Sequence, residues 1–268
     1  MILLLVILGL LVGLISTIFG VGGGIIAVPS LYALFPKLSP QTVIATSLGM
    51  IFLNSLINTF NFYKLKFRAP LKIILILSIN MIIGVILGGE LTFYLNKITI
   101  KQIFVVVIVL VAFKTLLYKK KDSSNEVTWN VKGLIMISLT ALLGGLVSGL
   151  TGLGGGAVLV PLFISLLKLP LKKVPFYSNI AMASGTGAGV INYMLRTPKT
   201  PVSFEWEVLN HFQIGHVNWA IILLIFVGAA ITSRLGIKIT DKMSDKLLKN
   251  LFATILLIFA VKIFMTTI

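Results

Sequence analysis

The sequence predicts an all-α integral membrane protein of two inverted repeats, each a glycine-broken helix hairpin followed by three transmembrane helices. Three observations predict this class: the composition, a series of long apolar segments, and an internal duplication. Of the 268 residues, 57% are hydrophobic and only 11% are charged, whereas a soluble domain is ~45–50% apolar and ~25% charged. A fold of this size has too much surface to hide that excess from water. We therefore expect the chain in a lipid bilayer.

The charge is lopsided, with 23 Lys and Arg against 7 Asp and Glu. A nucleic-acid binder can be this basic, but it would not carry so many apolar segments, so no nucleic-acid partner is expected. The chain has no cysteine, which excludes disulfides, thiolate metal sites and thiol chemistry. No cofactor is expected, and lipid is the expected surrounding.

Most of the apolar segments approach the ~20 residues that a helix needs to cross a bilayer. Their continuous hydrophobicity favours helices over a β-barrel. The first segment contains no Lys or Arg and precedes no small-residue cleavage site, so we predict a retained helix rather than a signal peptide. In order, the segments are residues 2–35, 43–62, 73–89, 103–118, 133–150, 157–169, 176–195, 217–234 and 247–268.

The two halves of the chain are similar in sequence. Residues 13–29 read GLISTIFGVGGGIIAVP and residues 145–161 read GLVSGLTGLGGGAVLVP, with nine of seventeen positions identical at an offset of 132. Lys101 and Phe104 match Lys249 and Phe252 at an offset of 148. We predict a first repeat over residues 1–121, a polar linker over 122–132 and a second repeat over 133–268.

The distribution of basic residues predicts the topology. If residues 2–35 and 133–169 each fold as a hairpin, four loops on one side hold sixteen Lys and Arg, and the other side holds five. The positive-inside rule then places residues 119–132 in the cytoplasm and both termini outside. Each repeat has an odd number of crossings besides its hairpin, so the repeats are predicted to be inverted, as in many secondary transporters.

The two GxGGG turns at residues 20–24 and 152–156 are the candidate binding site. Irregular backbone within a membrane survives only where it is buried or lines a polar cavity, and glycine allows successive amides to face one anion. Each turn also begins a helix, whose amino end attracts anions. The alternative is that these glycines only permit close helix packing. Neither a dinucleotide-binding fingerprint nor a P-loop fits the spacing.

Other polar residues extend this candidate site. Thr46 and Ser47 begin the helix after the first turn, and Ser178 and Asn179 occupy the matching places at an offset of 132. Asn54, Asn58 and Asn61 continue one helical stripe from Ser47 and either line a path or bond between helices. The predicted substrate-binding residues are Gly20, Gly22, Gly23, Gly24, Thr46, Ser47, Asn58, Gly152, Gly154, Gly155, Gly156, Ser178 and Asn179.

Catalytic and metal-binding groups are not expected. All seven acidic residues fall in loops or at helix ends, so the sequence offers no intramembrane carboxylate for proton or sodium coupling and no support for an enzyme. His211 and His216 lie five residues apart, a spacing that does not share a helix face. We expect them in a solvated outer loop rather than in a metal site.

The segments GVGGGIIAVP and GLGGGAVLVP, each followed by a helix beginning near ATSL or YSNI, resemble the sulfite exporter TauE/SafE family over essentially the whole chain. The family comprises prokaryotic membrane permeases for sulfur-containing anions such as sulfite and sulfonates. YSNI departs from the Thr-Ser pair usual in the family and leaves Asn179 where a hydroxyl is expected.

The resemblance implies a membrane permease for a small sulfur-containing anion. With the two hairpins it leads to the hypothesis of a cytoplasmic-membrane exporter that works by alternating access around a midplane site formed by the glycine turns. Two alternatives are an anion channel and a non-transporting membrane module that binds a partner protein through its basic face. The sequence indicates neither the particular anion nor the oligomeric state.

Overall fold

A computed structural model describes residues 2–117, 130–170, 172–198 and 207–244, with seven single positions between 247 and 261. Most of the predicted polar linker, Glu205 and most of the last predicted helix, 247–268, lie outside the described residues. The described part is almost entirely helical, which confirms the all-α class. The helices and strands are α1 (Ile2–Phe19), α2 (Gly24–Leu34), α3 (Pro40–Lys64), α4 (Leu71–Leu91), α5 (Lys97–Leu117), α6 (Val131–Thr151), α7 (Gly156–Ser165), α8 (Val174–Met194), α9 (Glu207–Asn210), β1 (Gln213–Ile214), β2 (Val217–Asn218) and α10 (Trp219–Lys242).

Among the described residues, five helices are long and apolar enough to cross a membrane: α1, α3, α4, α6 and α10. They confirm the membrane class. The predicted segments 2–35 and 133–169 are each broken at their glycines, leaving the short apolar helices α2 and α7. The predicted segment 217–234 differs at its start, because Val217 and Asn218 pair with β1 in a small antiparallel hairpin. Gly215, with φ of 56°, forms the turn of that hairpin.

Side chains cap the starts of α3 and α6, whereas α4 and α8 have no side-chain cap. The side chain of Ser39 accepts a hydrogen bond from the amide of Thr42 at 3.2 Å, and Pro40 begins α3. Asn130 likewise accepts from the amide of Gly133 at 2.8 Å at the start of α6. By contrast, α2 and α7 begin after glycines and have no side-chain cap. Their first amides are therefore left for another partner.

Helices α3 and α8 cross at the centre of the fold and run in opposite directions. Near one end of the crossing, the side chain of Leu48 lies against Gly189. Near the other end, Asn58 donates to Asn179. Residue numbers therefore rise along α3 as they fall along α8. Helices α3 and α8, which occupy corresponding places in the two similar halves of the sequence, are thus antiparallel.

The outer helix pairs have the same relation in both repeats. Gly9 and Gly13 of α1 lie on the backbone of α10 at Ile225 and Ala229, so these helices run parallel. Gly145 and Gly149 of α6, equivalent to Gly13 and Thr17, lie in the same way on the backbone of α4. Small residues allow this close approach, as is usual between membrane helices.

The directions of the described helices form a consistent set. Helix α8 runs parallel to α4, because Gly185 faces Met81 and Gly189 faces Val85. Helix α3 runs parallel to α10, because Thr46 contacts Asn218 and Asn61 contacts Ser233. Helices α1, α3 and α10 therefore run one way, and α4, α6 and α8 run the other. Since α1 and α3 run the same way, the chain returns between them through α2.

Each end of the bundle gathers a defined set of loops. At one end, Gln41 donates to the carbonyl oxygen of Thr92 at 2.8 Å, and Arg196 pairs with Glu90 at 2.6 Å. At the other end, the rings of Phe67 and Phe176 lie 5.9 Å apart. The loop after α3 and the loop before α8 therefore share an end, opposite to the loops that follow α4 and α8.

Candidate functional site

The two glycine turns meet tip to tip in the buried interior. A Cβ atom on Gly24 would lie 2.5 Å from the carbonyl oxygen of Gly152, and one on Gly156 would lie 2.7 Å from that of Gly20. Both contacts are backbone against backbone, so no side chain could move aside. Glycine at these two places therefore allows the turn of one repeat to touch the turn of the other.

Backbone conformation also requires glycine immediately before each short helix. Gly23 precedes α2 with φ of 81°, and Gly155 precedes α7 with φ of 79°. This left-handed region costs an ordinary residue about 1–2 kcal/mol. The GxGGG pattern thus encodes both a close approach and a turn that only glycine forms without strain.

One serine of each repeat binds the turn of the other repeat. Ser47 donates its hydroxyl to the carbonyl oxygen of Gly152 at 2.8 Å, and Ser178 donates to that of Gly20 at 2.7 Å. Because Gly20 and Gly152 are equivalent, Ser178 is the counterpart of Ser47. The sequence alignment paired Asn179 with Ser47, which is wrong by one residue. The hydroxyl that YSNI was expected to lack is therefore present.

These bonds also change the expected role of the two serines. A hydroxyl has one proton to donate, and here that proton goes to a backbone carbonyl. Ser47 and Ser178 are both fully buried. They hold the turns in place, and they are not free donors to an anion in this arrangement.

The two turns present unpaired backbone amides at the start of a helix. No acceptor in the described part of the chain takes the amides of residues 22–24 or of residues 154–156. Buried amides are almost always paired. The carbonyl oxygens of residues 21, 22, 153 and 154 also have no donor among the described residues, whereas those of Gly20 and Gly152 accept the two serines. The amino ends of α2 and α7, which carry partial positive charge, are the feature of the site that favours an anion.

Two apolar side chains enclose the meeting point. A Cβ atom on Gly22 would lie 2.7 Å from Ile51 and 2.8 Å from the sulfur of Met182, and one on Gly154 would lie 2.8 Å from Ile51. Ile51 and Met182 are equivalent in the two repeats, and both are fully buried. A dry, low-dielectric surrounding strengthens any hydrogen bond that the amides make.

A polar cluster lies beside the first turn and joins α1, α3 and α8. Thr17 donates to Asn58 at 3.0 Å, and Asn58 donates to Asn179 at 3.3 Å and to Ser16 at 3.4 Å. The carbonyl oxygen of Ser16 in turn accepts the amide of Gly20 at 2.8 Å. The structure thus brings the predicted residues Asn58 and Asn179 together. Ser16 and Thr17 were not among the predicted residues, although two adjacent hydroxyls in an otherwise apolar helix indicate a polar contact between helices.

Thr46 is separate from this cluster. Its hydroxyl oxygen accepts the amide of Asn218, at the start of α10, at 3.3 Å. The side chain of Asn218 caps α10 by accepting from the amide of Ile221 at 3.0 Å. Thr46 therefore belongs to the junction between α3 and α10.

Asn54 has a buried side-chain amide without hydrogen-bond partners. It is fully buried, and neither its amide nitrogen nor its amide oxygen has a hydrogen-bond partner. It lies one helical turn from Asn58 on the predicted stripe, whereas Asn61 donates to Ser233 of α10 at 3.4 Å. A buried amide without a partner costs about 1–3 kcal/mol. Asn54 is thus a further candidate for contact with a substrate.

The expectation for His216 is wrong, while His211 is exposed as expected. His216 is only 5% exposed. Its ring lies 5.6 Å from the ring of Phe93 and 6.3 Å from that of Tyr193. Burial lowers the pKa of His216 to about 4. The β1–β2 hairpin folds this histidine inward, and the prediction of an irregular loop did not include such a hairpin. Within the described residues, no cluster of three metal-binding side chains occurs.

Comparisons with known proteins agree with this architecture. The profile of the sulfite exporter TauE/SafE family matches residues 5–263. A probable membrane transporter protein of Haemophilus influenzae is 32% identical over 253 residues, covering 94% of this chain and 92% of its own. A probable membrane transporter protein of Methanocaldococcus jannaschii is 27% identical, over 94% of this chain and 91% of its own. A probable membrane transporter protein of Bacillus subtilis is 26% identical, over 95% of this chain and 94% of its own.

No solved structure matches the chain. The transporter names of the relatives agree with the expectation that the protein is not an enzyme. The family match covers nearly the whole chain, including both glycine turns and both serines that bind them. The chain therefore belongs to the sulfite exporter TauE/SafE family.

Proposed function

We propose that the protein is a membrane transporter that exports a small sulfur-containing oxyanion, such as sulfite or an organosulfonate. The observation that carries this proposal is the pair of buried turns whose amides have no acceptor in the described chain and lie at the positive amino ends of α2 and α7. The family description names sulfite, and the relatives are named as membrane transporters.

The chemistry of the turns favours an anion over a cation. A cation at the turns would lie against the partial positive charge at the amino ends of α2 and α7, and the carbonyl oxygens of Gly20 and Gly152 already accept serine hydroxyls. An oxyanion with three oxygens could take amides from both turns at once. The amide nitrogen of Asn54 is a further donor for it. Because no Lys or Arg lies at the turns, binding would be moderate and release easy.

Alternating access is the transport mode that the symmetry supports. Equivalent helices of the two halves run in opposite directions, which suits two inverted repeats over residues 1–121 and 133–268. A site at the contact of two such repeats can face either side when the repeats rock against each other. The loops with most basic residues would face the cytoplasm, and both termini would lie outside.

The membrane potential is a sufficient driving force for export. Moving one negative charge out of a negative-inside cell is favourable by ~2.3 kcal/mol per 100 mV. Such a drive needs no coupling carboxylate. Glu90, the acidic residue of α4, lies near the end of its helix and pairs with Arg196, outside the buried site.

The test is anion flux through the purified protein in liposomes with an imposed potential. We expect flux of sulfite or a sulfonate, and its loss in the variants Gly23→Val and Gly155→Val, whose left-handed φ and close neighbours admit no branched side chain. Unaltered flux in both variants would refute a site at the turns. Currents far above carrier turnover would identify a channel instead, and absence of flux for every anion tested would favour a partner-binding module.

A further inference from the structure

A basic pocket lies at the end of the bundle where α3 ends and α8 begins. Its volume is about 390 Å³, within the size range of small-molecule sites. Three cationic side chains and three aromatic rings line it: Lys66, Arg68, Lys173, Phe67, Phe176 and Tyr177. None of the described residues that line it is acidic. Its charge is therefore uncompensated at close range.

Local structure holds the cations at the mouth of this pocket. Arg68 donates from Nη1 to the carbonyl oxygens of Tyr63 and Phe67, both at 2.8 Å, and its guanidinium stacks 3.8 Å from the ring centre of Tyr63. These contacts use one nitrogen and leave the other guanidinium N–H groups available. Lys173 immediately precedes α8, so the amino end of a 21-residue helix adds to its field.

The lining of the pocket includes a cluster of packed aromatic rings, which we call its aromatic floor. The rings of Phe67 and Phe176 lie 5.9 Å apart, and Phe62 lies 5.4 Å from Phe67. Phe62 follows Asn61 on α3, and Tyr177 precedes Ser178, whose hydroxyl holds the first glycine turn. Tyr177, which lines the pocket, is therefore the neighbour in sequence of Ser178, which binds the proposed transport site.

We propose that this pocket is an anion-recruitment site, which binds a free small oxyanion before it passes the aromatic floor to the glycine turns. The inference rests on the proposed function. The turns hold no formal charge, so they cannot attract an anion over a distance. Three cations in a concave pocket raise the local anion concentration and the association rate. A division of labour follows, in which the pocket concentrates the anion and the turns select and release it.

The test compares the double variant Lys66→Gln/Lys173→Gln with Lys172→Gln, a control that removes an exposed lysine from the same loop but not from the pocket lining. Sulfite flux is measured in phosphatidylcholine vesicles, with sulfite on the side where Lys172 is exposed. We expect KM to rise about tenfold in the double variant with little change in maximal rate. Added salt should raise KM in the wild type and in the control, but much less in the double variant.

The outcomes separate this inference from the proposed function. Sulfite flux with the same KM and salt dependence in the double variant and the control would overturn the recruitment site and leave transport standing. An effect confined to vesicles containing phosphatidylglycerol would assign the pocket to a lipid headgroup and also overturn it. If the wild type transports no anion, sulfite binding is scored by thermal stabilisation in detergent. Stabilisation lost in the double variant alone would then support the pocket, and equal stabilisation in both variants would refute it.

Discussion

Replacing Gly24 by alanine tests whether the contact between the two turns is required for transport. Gly24 is the first residue of α2 and has no positive φ, so its backbone accepts alanine. The added methyl group, however, would lie 2.5 Å from the carbonyl oxygen of Gly152 and 2.8 Å from the carbonyl carbon and Cα of Leu153. The substitution therefore perturbs the contact between the two turns without straining the backbone at residue 24.

The expected magnitude follows from these distances. Ordinary van der Waals contact begins near ~3.5 Å, so the two tips must separate by about 1 Å. Overpacking of this kind costs about 1–3 kcal/mol, which lowers the melting temperature by about 2–10 °C for a chain of this size. A hydrogen bond to a charged group contributes about 1.5–3 kcal/mol. Loss of one such bond to the anion would raise KM about tenfold or more.

The assay is concentration-dependent sulfite flux in proteoliposomes together with thermal unfolding in detergent. Gly187→Ala is the matched control, because the three atoms nearest to its methyl group would all belong to the ring of Phe52, which is half-buried and can turn aside. We expect the control to keep the wild-type KM. A Gly24→Ala variant with wild-type KM and wild-type melting temperature would refute the claim that the turns form one shared site.

Three further predictions follow from other contacts. Ser47→Ala and Ser178→Ala should each lower the free energy of unfolding by about 0.6–1.7 kcal/mol and reduce sulfite flux, because each removes the hydrogen bond to a buried carbonyl oxygen of a glycine turn. Equal flux in both variants and the wild type would contradict the role of these serines in holding the turns. Single cysteines in Tyr94→Cys and Lys172→Cys should react with an impermeant thiol reagent from opposite sides of the membrane, and labelling from the same side would disprove the topology. Lowering the pH from 7 towards 4 should destabilise the wild type, because burial depresses the pKa of His216 to about 4 and the unfolded state takes up its proton first. In thermal unfolding, the His216→Gln variant should lose this pH dependence. An unchanged pH dependence in the variant would assign the effect to another group.

Much of the fold could be predicted because its signals are local. Hydrophobic segments near the length of a bilayer crossing indicate membrane helices wherever they occur. The glycine turns could be located because a break in a membrane helix needs residues with unusual backbone freedom. The duplication could be recognised from the repeated turn sequence. These features depend on residues close together in the chain, so no knowledge of packing was needed.

The site was only partly predictable, because hydrogen-bond partners depend on how helices pack. The sequence suggested Ser47 and Ser178 as anion donors, yet each donates to a carbonyl of the opposite turn. The one-residue shift of α8 arises because the second half has one residue fewer between its glycine turn and Ser178 than the first half has between its turn and Ser47, and an alignment at one constant offset does not show it. His216 is buried because a small hairpin folds it against aromatic rings, and the basic pocket forms only where two distant loops meet.

The sequence by itself determined the membrane class, the positions of most of the described helices and the glycine turns, and it predicted the two repeats. Composition and periodicity specify these features through hydrophobic burial and backbone conformation, which act residue by residue. Only the tertiary structure decided that the turns touch and that the carbonyl oxygens of Gly20 and Gly152 accept serine hydroxyls from the opposite half of the chain. Those outcomes depend on the relative register of helices far apart in the chain, and that register is set by side chains packing against one another.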